Sequence, residues 1–125
     1  VMTWLGAFPV SRGESDLSAM RTSLKLLADG EALGIFPEGH RYVDGEMHEF
    51  GNGLALIALR SGAPVVPAYI QGSYRLFRRV TVTVGAPVAL DDLGRRCDSR
   101  TLSAATERIQ NAMRALREDD VKKVC

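Results

Sequence analysis

Apolar residues along this chain recur at helical spacing in some stretches and in short strand-like runs in others. Apolar residues between positions 17 and 27 are spaced by three or four, which predicts an amphipathic helix beginning at residue 15 or 16. Asp29 and Gly30 predict where this helix ends, with Gly30 in the left-handed backbone conformation. The pattern therefore places one helix in the first quarter of the chain.

Short apolar runs predict the strands. Runs at residues 5–10 and 32–36 flank the first helix, and this order with short connections predicts a right-handed parallel strand–helix–strand unit. Residues 65–70 predict a third buried strand, in which Pro67 indicates an edge, a bulge or the end of the strand. Alternating valine and polar residues over 79–84 predict an outer strand with one buried face.

Two further helices complete the predicted fold. Residues 54–59 are apolar on all sides, which is typical of a short buried helix, and Gly62 ends it. An apolar stripe from Leu102 to Leu116 predicts a long helix that packs on the core. The predicted fold class is α/β, with a partly parallel β-sheet flanked by helices in a single domain over residues 1–125.

Composition narrows the function. The 125 residues carry a net charge of +1 and few aromatic residues, which argues against a protein built mainly to hold nucleic acid. Cys97 and Cys125 have no metal or redox spacing and are interpreted as free thiols of a reducing compartment, with a chance pair as the alternative. No apolar run in the sequence is long enough to span a bilayer.

Candidate chemistry concentrates in the sequence Phe-Pro-Glu-Gly-His-Arg at residues 36–41. Pro37 ends the predicted strand before it, and Gly39 allows a sharp turn or the close approach of a ligand. Ligands of open α/β sheets bind at the carboxyl ends of strands, which is where this sequence is predicted to lie. The alternative interpretation is an ordinary strand exit with a surface ion pair between Glu38 and Arg41.

Arginine and histidine residues extend this candidate site. Arg12 and Arg41 each follow a predicted parallel strand, so their guanidinium groups could converge on one phosphate or carboxylate; two solvated arginines are the alternative. His40 lies beside a carboxylate, as a general base would, whereas His48 is expected to be merely exposed. No nucleophile motif and no metal-ligand spacing occurs, so no metal site is predicted.

Blocks of sequence in a fixed order carry a family resemblance. They are the glycine-to-arginine stretch at residues 6–13, Phe-Pro-Glu-Gly-His-Arg within 34–41, Phe-Gly-Asn-Gly at 50–53, and the valine-rich run with its proline at 65–72. In this order and spacing the chain resembles the PlsC-like glycerolipid acyltransferases, of the 1-acylglycerol-3-phosphate acyltransferase type. The likeness covers most of the chain, from residue 6 to about residue 86.

The resemblance implies acyl transfer from acyl-CoA or acyl-carrier protein to the free hydroxyl of 1-acylglycerol-3-phosphate in phospholipid biosynthesis, with no cofactor. Arg12 and Arg41 would hold the acceptor phosphate, Glu38 would bind or orient the acceptor, and Gly39 would allow its close approach. The family also implies a membrane surface as a partner, reached through residues outside this chain. The expected location is the cytoplasmic face of a membrane, either peripheral or anchored by an upstream segment.

The sequence departs from the family in two places. The His-x4-Asp dyad of the family matches neither His40 with Asp44 nor the residues after His48, so no catalytic residue is assigned to this chain. We expect the dyad on an upstream segment, and hence an acyltransferase core that lacks its amino-terminal part. His40 stands where the family usually has threonine. Two alternatives remain: a related acyltransferase with a different glycerol-phosphate or lysophospholipid acceptor, and a non-catalytic α/β module that binds a phosphate-bearing ligand.

Overall fold

A computed structural model describes residues 4–8, 17–39, 46–72, 77 and 79–124, with side chains described as far as residue 118. The chain forms two compact units, residues 1–35 and residues 36–125. The described secondary structure comprises three α-helices, a single-turn 3₁₀ helix and two strands. The predicted α/β class is therefore confirmed.

The first unit contains helix α1, Leu17–Ala28, as the apolar spacing predicts. Its carboxyl end closes with the hydrogen-bond pattern of a Schellman motif. The amide of Glu31 donates to the carbonyl of Leu26 at 3.0 Å, and the amide of Gly30 donates to the carbonyl of Leu27 at 3.2 Å. Gly30 has a φ of +82°, so the predicted left-handed stop is confirmed.

The two strands predicted on either side of α1 do not form in the described residues. Residues 4–6 make a turn, because Gly6 adopts a φ of +86°, which an extended strand cannot contain. Residues 31–36 have no regular structure. A strand requires a neighbour for its amides and carbonyls, and the described residues supply none to this stretch. The prediction of a strand at 32–36 was wrong, and residues 5–8 form no strand either, whereas residues 9 and 10 of the first predicted strand lie outside the described residues. The described part of the chain shows no parallel pairing.

The second unit is built on two helices, α2 at Asn52–Ser61 and α3 at Ser99–Val124. Gly62 ends α2 with a φ of 68°, and its amide donates to the carbonyl of Ala58 at 2.9 Å. Asp98 caps the start of α3, because its carboxylate accepts a hydrogen bond from the amide of Thr101 at 2.8 Å. The hydrogen bonds from Thr101 lower the pKa of Asp98 below its ordinary value.

The core of this unit lies between α2 and α3. Ala55 and Leu59 of α2 and Ala105 of α3 are its buried centre, with exposed fractions of 1%, 3% and 0%. Leu102 of α3 and two leucines of the preceding segment, Leu90 and Leu93, pack around it. Both helices are thus stabilised mainly by the apolar faces that the sequence pattern predicts.

Strands β1, Ala68–Gly72, and β2, Val80–Val84, pair antiparallel. β1 begins directly after Pro67, whose missing amide bars it from donating to a ladder, so the proline marks the start of the strand. Upstream, Val65 forms only an isolated bridge with Val88. The predicted strand at 65–70 therefore lies later in the chain than expected, and it is not fully buried.

In this hairpin the more polar face is the more buried one, whereas a surface sheet usually buries its apolar face. Tyr69 and Thr83, which are paired across the strands, are half-buried, and α3 contacts both strands. On the other face the valines are exposed, Val80 by 44%, Val82 by 56% and Val84 by 63%. The strand predicted over 79–84 is present, but the prediction that its valines form a buried face was wrong, because all three are exposed and only Thr83 of this strand is half-buried.

Candidate functional site

A tight turn carries the candidate carboxylate. The amide of Gly39 donates to the carbonyl of Phe36 at 3.3 Å, with Pro37 at the second position of the turn, where its fixed φ is favoured. Gly39 has a φ of +67°, and a β-carbon added there would meet no atom of the described residues within 4 Å. Glycine is therefore favoured by the backbone conformation and not by crowding. Glu38, half-buried, lies in the middle of this turn.

The Glu38 carboxylate is held from one side. The backbone amide of His48 donates a hydrogen bond to Oε2 of Glu38 at 3.3 Å. Among the described residues, this is the carboxylate's one hydrogen bond, and a carboxylate oxygen can accept further bonds from a hydroxyl or amine. Chemically, the arrangement provides an oriented acceptor group at an accessible turn.

The segment that supplies the His48 amide, residues 46–52, is attached to α3 by polar contacts. Thr106, Gln110 and Arg117 lie on one face of α3, at spacings of four and seven residues, and we call them the polar stripe. The Thr106 hydroxyl donates to Oδ1 of Asn52 at 3.0 Å, and the Gln110 amide donates to the carbonyl of His48 at 3.4 Å. Arg117 donates to both carboxylate oxygens of Glu46, at 2.9 and 3.1 Å.

The contact between Arg117 and Glu46 is the shortest of these. Its two parallel N–H···O bonds have the fork geometry that arginine makes with carboxylates. Hydrogen bonding to Glu46 raises the pKa of Arg117 above its ordinary value, with a smaller contribution from the charge of Glu46. Phe50 is 8% exposed, so the segment is also secured by one buried aromatic ring.

Several predicted site residues lie outside the described residues. Arg12, Arg41, His40 and Asp44 are among them, so the convergence of the two arginines on one anion stays a prediction. Glu38 and Gly39 are described, and they lie together in the turn. Their roles in binding also stay predictions.

The structure corrects the interpretation of His48 as a merely exposed residue. His48 is half-buried, and hydrogen bonds hold the peptide groups on both sides of its α-carbon. Sequence analysis also missed Gln110 and Arg117. Their partners lie 62 and 71 residues away in the chain. The only sequence signal was a second, polar periodicity on the helix that carries the apolar stripe.

A cavity of about 600 Å³ lies elsewhere in the second unit, beside the end of α2. Its lining is mainly apolar, with Asp91 and Arg95 as its charged residues, and it does not include Glu38. The described residues contain no group of three or more acidic, histidine or cysteine side chains suited to a metal ion. Within the same residues, no helix has the length and apolar character needed to cross a bilayer.

Comparison with known proteins shows which family the chain is similar to. The model of the Acyltransferase family matches residues 1–71, which include the turn with Glu38. The chain is 33% identical to the 1-acyl-sn-glycerol-3-phosphate acyltransferase of Bacillus subtilis, in an alignment covering 90% of this chain and 62% of that protein. It is 31% identical to the chloroplastic 1-acyl-sn-glycerol-3-phosphate acyltransferase of Brassica napus, over 60% of this chain and 22% of that protein.

A third relative carries the same name. The chain is 29% identical to the 1-acyl-sn-glycerol-3-phosphate acyltransferase of Borreliella burgdorferi, over 62% of this chain and 32% of that protein. The chain thus spans less than two thirds of the length of each of these curated relatives. No solved structure matches it.

Proposed function

The chain belongs to the Acyltransferase family, and we propose that it carries the acceptor-binding part of a 1-acylglycerol-3-phosphate acyltransferase. The enzyme would transfer an acyl group from acyl-CoA or acyl-carrier protein to the free hydroxyl of 1-acylglycerol-3-phosphate. The observation that carries this proposal is the family match over residues 1–71, which ends beyond the turn that presents Glu38. The shared description of the bacterial and plastid relatives supports the choice of acceptor.

Glu38 is assigned the role of orienting the acceptor. One of its oxygens accepts a hydrogen bond from the His48 amide, which orients the carboxylate. The other oxygen can accept a hydrogen bond from a glycerol hydroxyl. Gly39, which has no atom of the described residues within 4 Å of an added β-carbon, would allow close approach of that ligand. Arg12 and Arg41 are assigned to the acceptor phosphate on the strength of the family resemblance, because arginine binds phosphate bidentately.

The reaction itself is a direct displacement. The acceptor oxygen attacks the thioester carbonyl carbon, a C–O bond forms, the C–S bond breaks, and the hydroxyl proton passes through a base to the departing thiolate. No residue of this chain is assigned as that base. The described residues contribute by holding the acceptor in a reactive orientation. Because the acceptor carries an acyl chain, we propose that the reaction takes place at a membrane surface. The cytoplasmic side of that membrane is proposed from the family resemblance.

Replacement of Glu38 tests the proposal. Glu38→Gln keeps the shape of the side chain but removes its charge, so binding of the acceptor should weaken by roughly 10- to 100-fold, as for a lost hydrogen bond to a charged group. The probe is a short-chain 1-acylglycerol-3-phosphate below its critical micelle concentration, titrated calorimetrically into the full chain. The KM for acceptor in acyl transfer by the whole protein should rise by a similar factor, with the KM for donor unchanged.

Glu49→Gln is the matched control, because Glu49 is an exposed acid in the segment adjoining the turn. It should leave acceptor binding unchanged. Equal binding by wild type and Glu38→Gln would remove Glu38 from the site. Stronger binding of glycerol-3-phosphate, or of a lysophospholipid with another head group, would show that this compound and not 1-acylglycerol-3-phosphate is the acceptor. If the protein binds the acceptor but transfers no acyl group to it from either donor, the chain is a non-catalytic phosphate-binding module.

A further inference from the structure

The polar stripe of α3 and the Glu38 turn are connected through a single residue, His48. The side-chain amide of Gln110 donates a hydrogen bond to the backbone carbonyl of His48 at 3.4 Å. The backbone amide of His48 in turn donates to the Glu38 carboxylate at 3.3 Å. Both distances exceed the range of about 2.7–3.2 Å that is typical of N–H···O hydrogen bonds, so each contact is weak and depends closely on the position of residue 48. The orientation of Glu38 therefore depends on where α3 holds residue 48.

The stripe is suited to fixing that position. From Thr106 to Arg117 it extends about 17 Å along α3, at a rise of about 1.5 Å per residue. Along this length it contacts Asn52, His48 and Glu46 in reverse chain order, so the segment runs antiparallel to the helix. Contacts at both ends of the segment prevent it from sliding, and Gln110 supplies the contact between them.

We propose that Gln110 is a positioning residue for the acceptor site, which acts on Glu38 through the backbone of His48. Gln110 need not touch the acceptor. Its side-chain amide holds the carbonyl of His48 and so positions the α-carbon of that residue. The peptide group on the other side of this α-carbon carries the N–H that donates to Glu38, so its position, and with it the orientation of the Glu38 carboxylate, follows from the Gln110 contact. This inference rests on the proposed function, because it assigns Gln110 to the same acceptor site.

The test replaces Gln110 by residues of similar length that cannot donate. Gln110→Met removes the polar group, and Gln110→Glu places a carboxylate against the His48 carbonyl. Each should weaken binding of the short-chain 1-acylglycerol-3-phosphate by about three- to tenfold, the size expected for one neutral hydrogen bond. In acyl transfer by the whole protein, the KM for acceptor should rise while the KM for donor stays constant. Asn111→Met, at the next and exposed position of α3, is the matched control and should bind as wild type does.

A double substitution separates positioning from a general loss of structure. If Gln110 acts through Glu38, Gln110→Met should have no further effect on acceptor binding in the Glu38→Gln background. An equal effect in both backgrounds would overturn the proposal, and so would wild-type binding by Gln110→Met while Glu38→Gln binds weakly. If Glu38→Gln itself binds as wild type does, the failure belongs to the proposed function and the inference about Gln110 falls with it.

Discussion

Helix α3 has two working faces that hold their partners by different forces. On one face Ala105 and Ile109 are almost fully buried, at 0% and 2% exposure, and Ala105 packs with Leu59 of α2. On the other face the polar stripe contacts residues 46–52 by hydrogen bonds and one ion pair. Ile109 and Gln110 are neighbours in sequence, so adjacent residues of the helix belong to the apolar face and to the polar stripe.

The difference separates stability from position. Burial of apolar surface is favourable in almost any orientation, so the Ala105 face stabilises the pairing of α2 with α3 without specifying angles closely. Hydrogen bonds weaken steeply with geometry, so the polar stripe contributes less free energy of folding and more control over where the segment lies. Substitutions on the two faces should therefore affect different measurements.

The largest effect is expected in the core. Leu59→Ala should lower the free energy of unfolding by about 2–5 kcal/mol, because a side chain only 3% exposed is removed and a cavity is left. The measurement is denaturant unfolding of the full chain. Val82→Ala, at a site 56% exposed, is the control and should change the free energy of unfolding by about 0.5 kcal/mol or less. A small loss for Leu59→Ala would mean that α2 and α3 are not the stabilising pair.

A smaller effect is expected from the ion pair of the polar stripe. Arg117→Met removes the bidentate contact with Glu46 but keeps an apolar stem. The side chains are 31% and 64% exposed, so the attraction is screened by salt. The difference in unfolding midpoint between wild type and Arg117→Met should be small at low salt and shrink as salt rises. The loss in Leu59→Ala should not shrink in this way, and equal salt dependence in both variants would contradict the separation of the two faces.

The smallest effect concerns an ion pair beside the core. Arg108 of α3 donates to both oxygens of Asp92, one of them at 2.7 Å, and also to the carbonyl of Ala89 at 3.1 Å. Hydrogen bonding with Arg108 lowers the pKa of Asp92 below its ordinary value of 3.8. Since the folded-state pKa is the lower one, the pair stabilises the fold above pH 3.8, and this contribution is lost as the pH falls through the lowered pKa.

Asp92→Asn tests this directly. Wild type should be slightly more stable than Asp92→Asn at neutral pH, and the difference should disappear in the acid range as Asp92 protonates. Thermal unfolding at a series of pH values measures it. A difference that persists below the pKa of the carboxyl would show that the substitution acts by packing and not by charge.

Local sequence was sufficient where one element decides its own structure. The apolar spacing between residues 17 and 27 predicted helix α1. Gly30 was recognised as its end because glycine adopts the left-handed backbone conformation more readily than other residues, which depends on that residue alone. The turn at residues 36–39 was likewise implied by Pro37 and Gly39. The strand predicted at residues 32–36 is absent, and residues 5–8 of the other predicted strand form none, because an apolar run favours burial but does not supply a hydrogen-bonding partner for its backbone.

The sequence alone determined the helices, the turn with its carboxylate and the membership of an acyltransferase family, since each depends on residues close together in the chain. Only the tertiary structure decided which face of the hairpin is exposed and which residues hold Glu38. Gln110 reaches His48 across 62 residues, and a contact over that separation depends on how α3 is placed, which no local spacing encodes. Hydrophobic periodicity specifies that a helix has a buried face, whereas the partners of its polar face follow only from the packed arrangement.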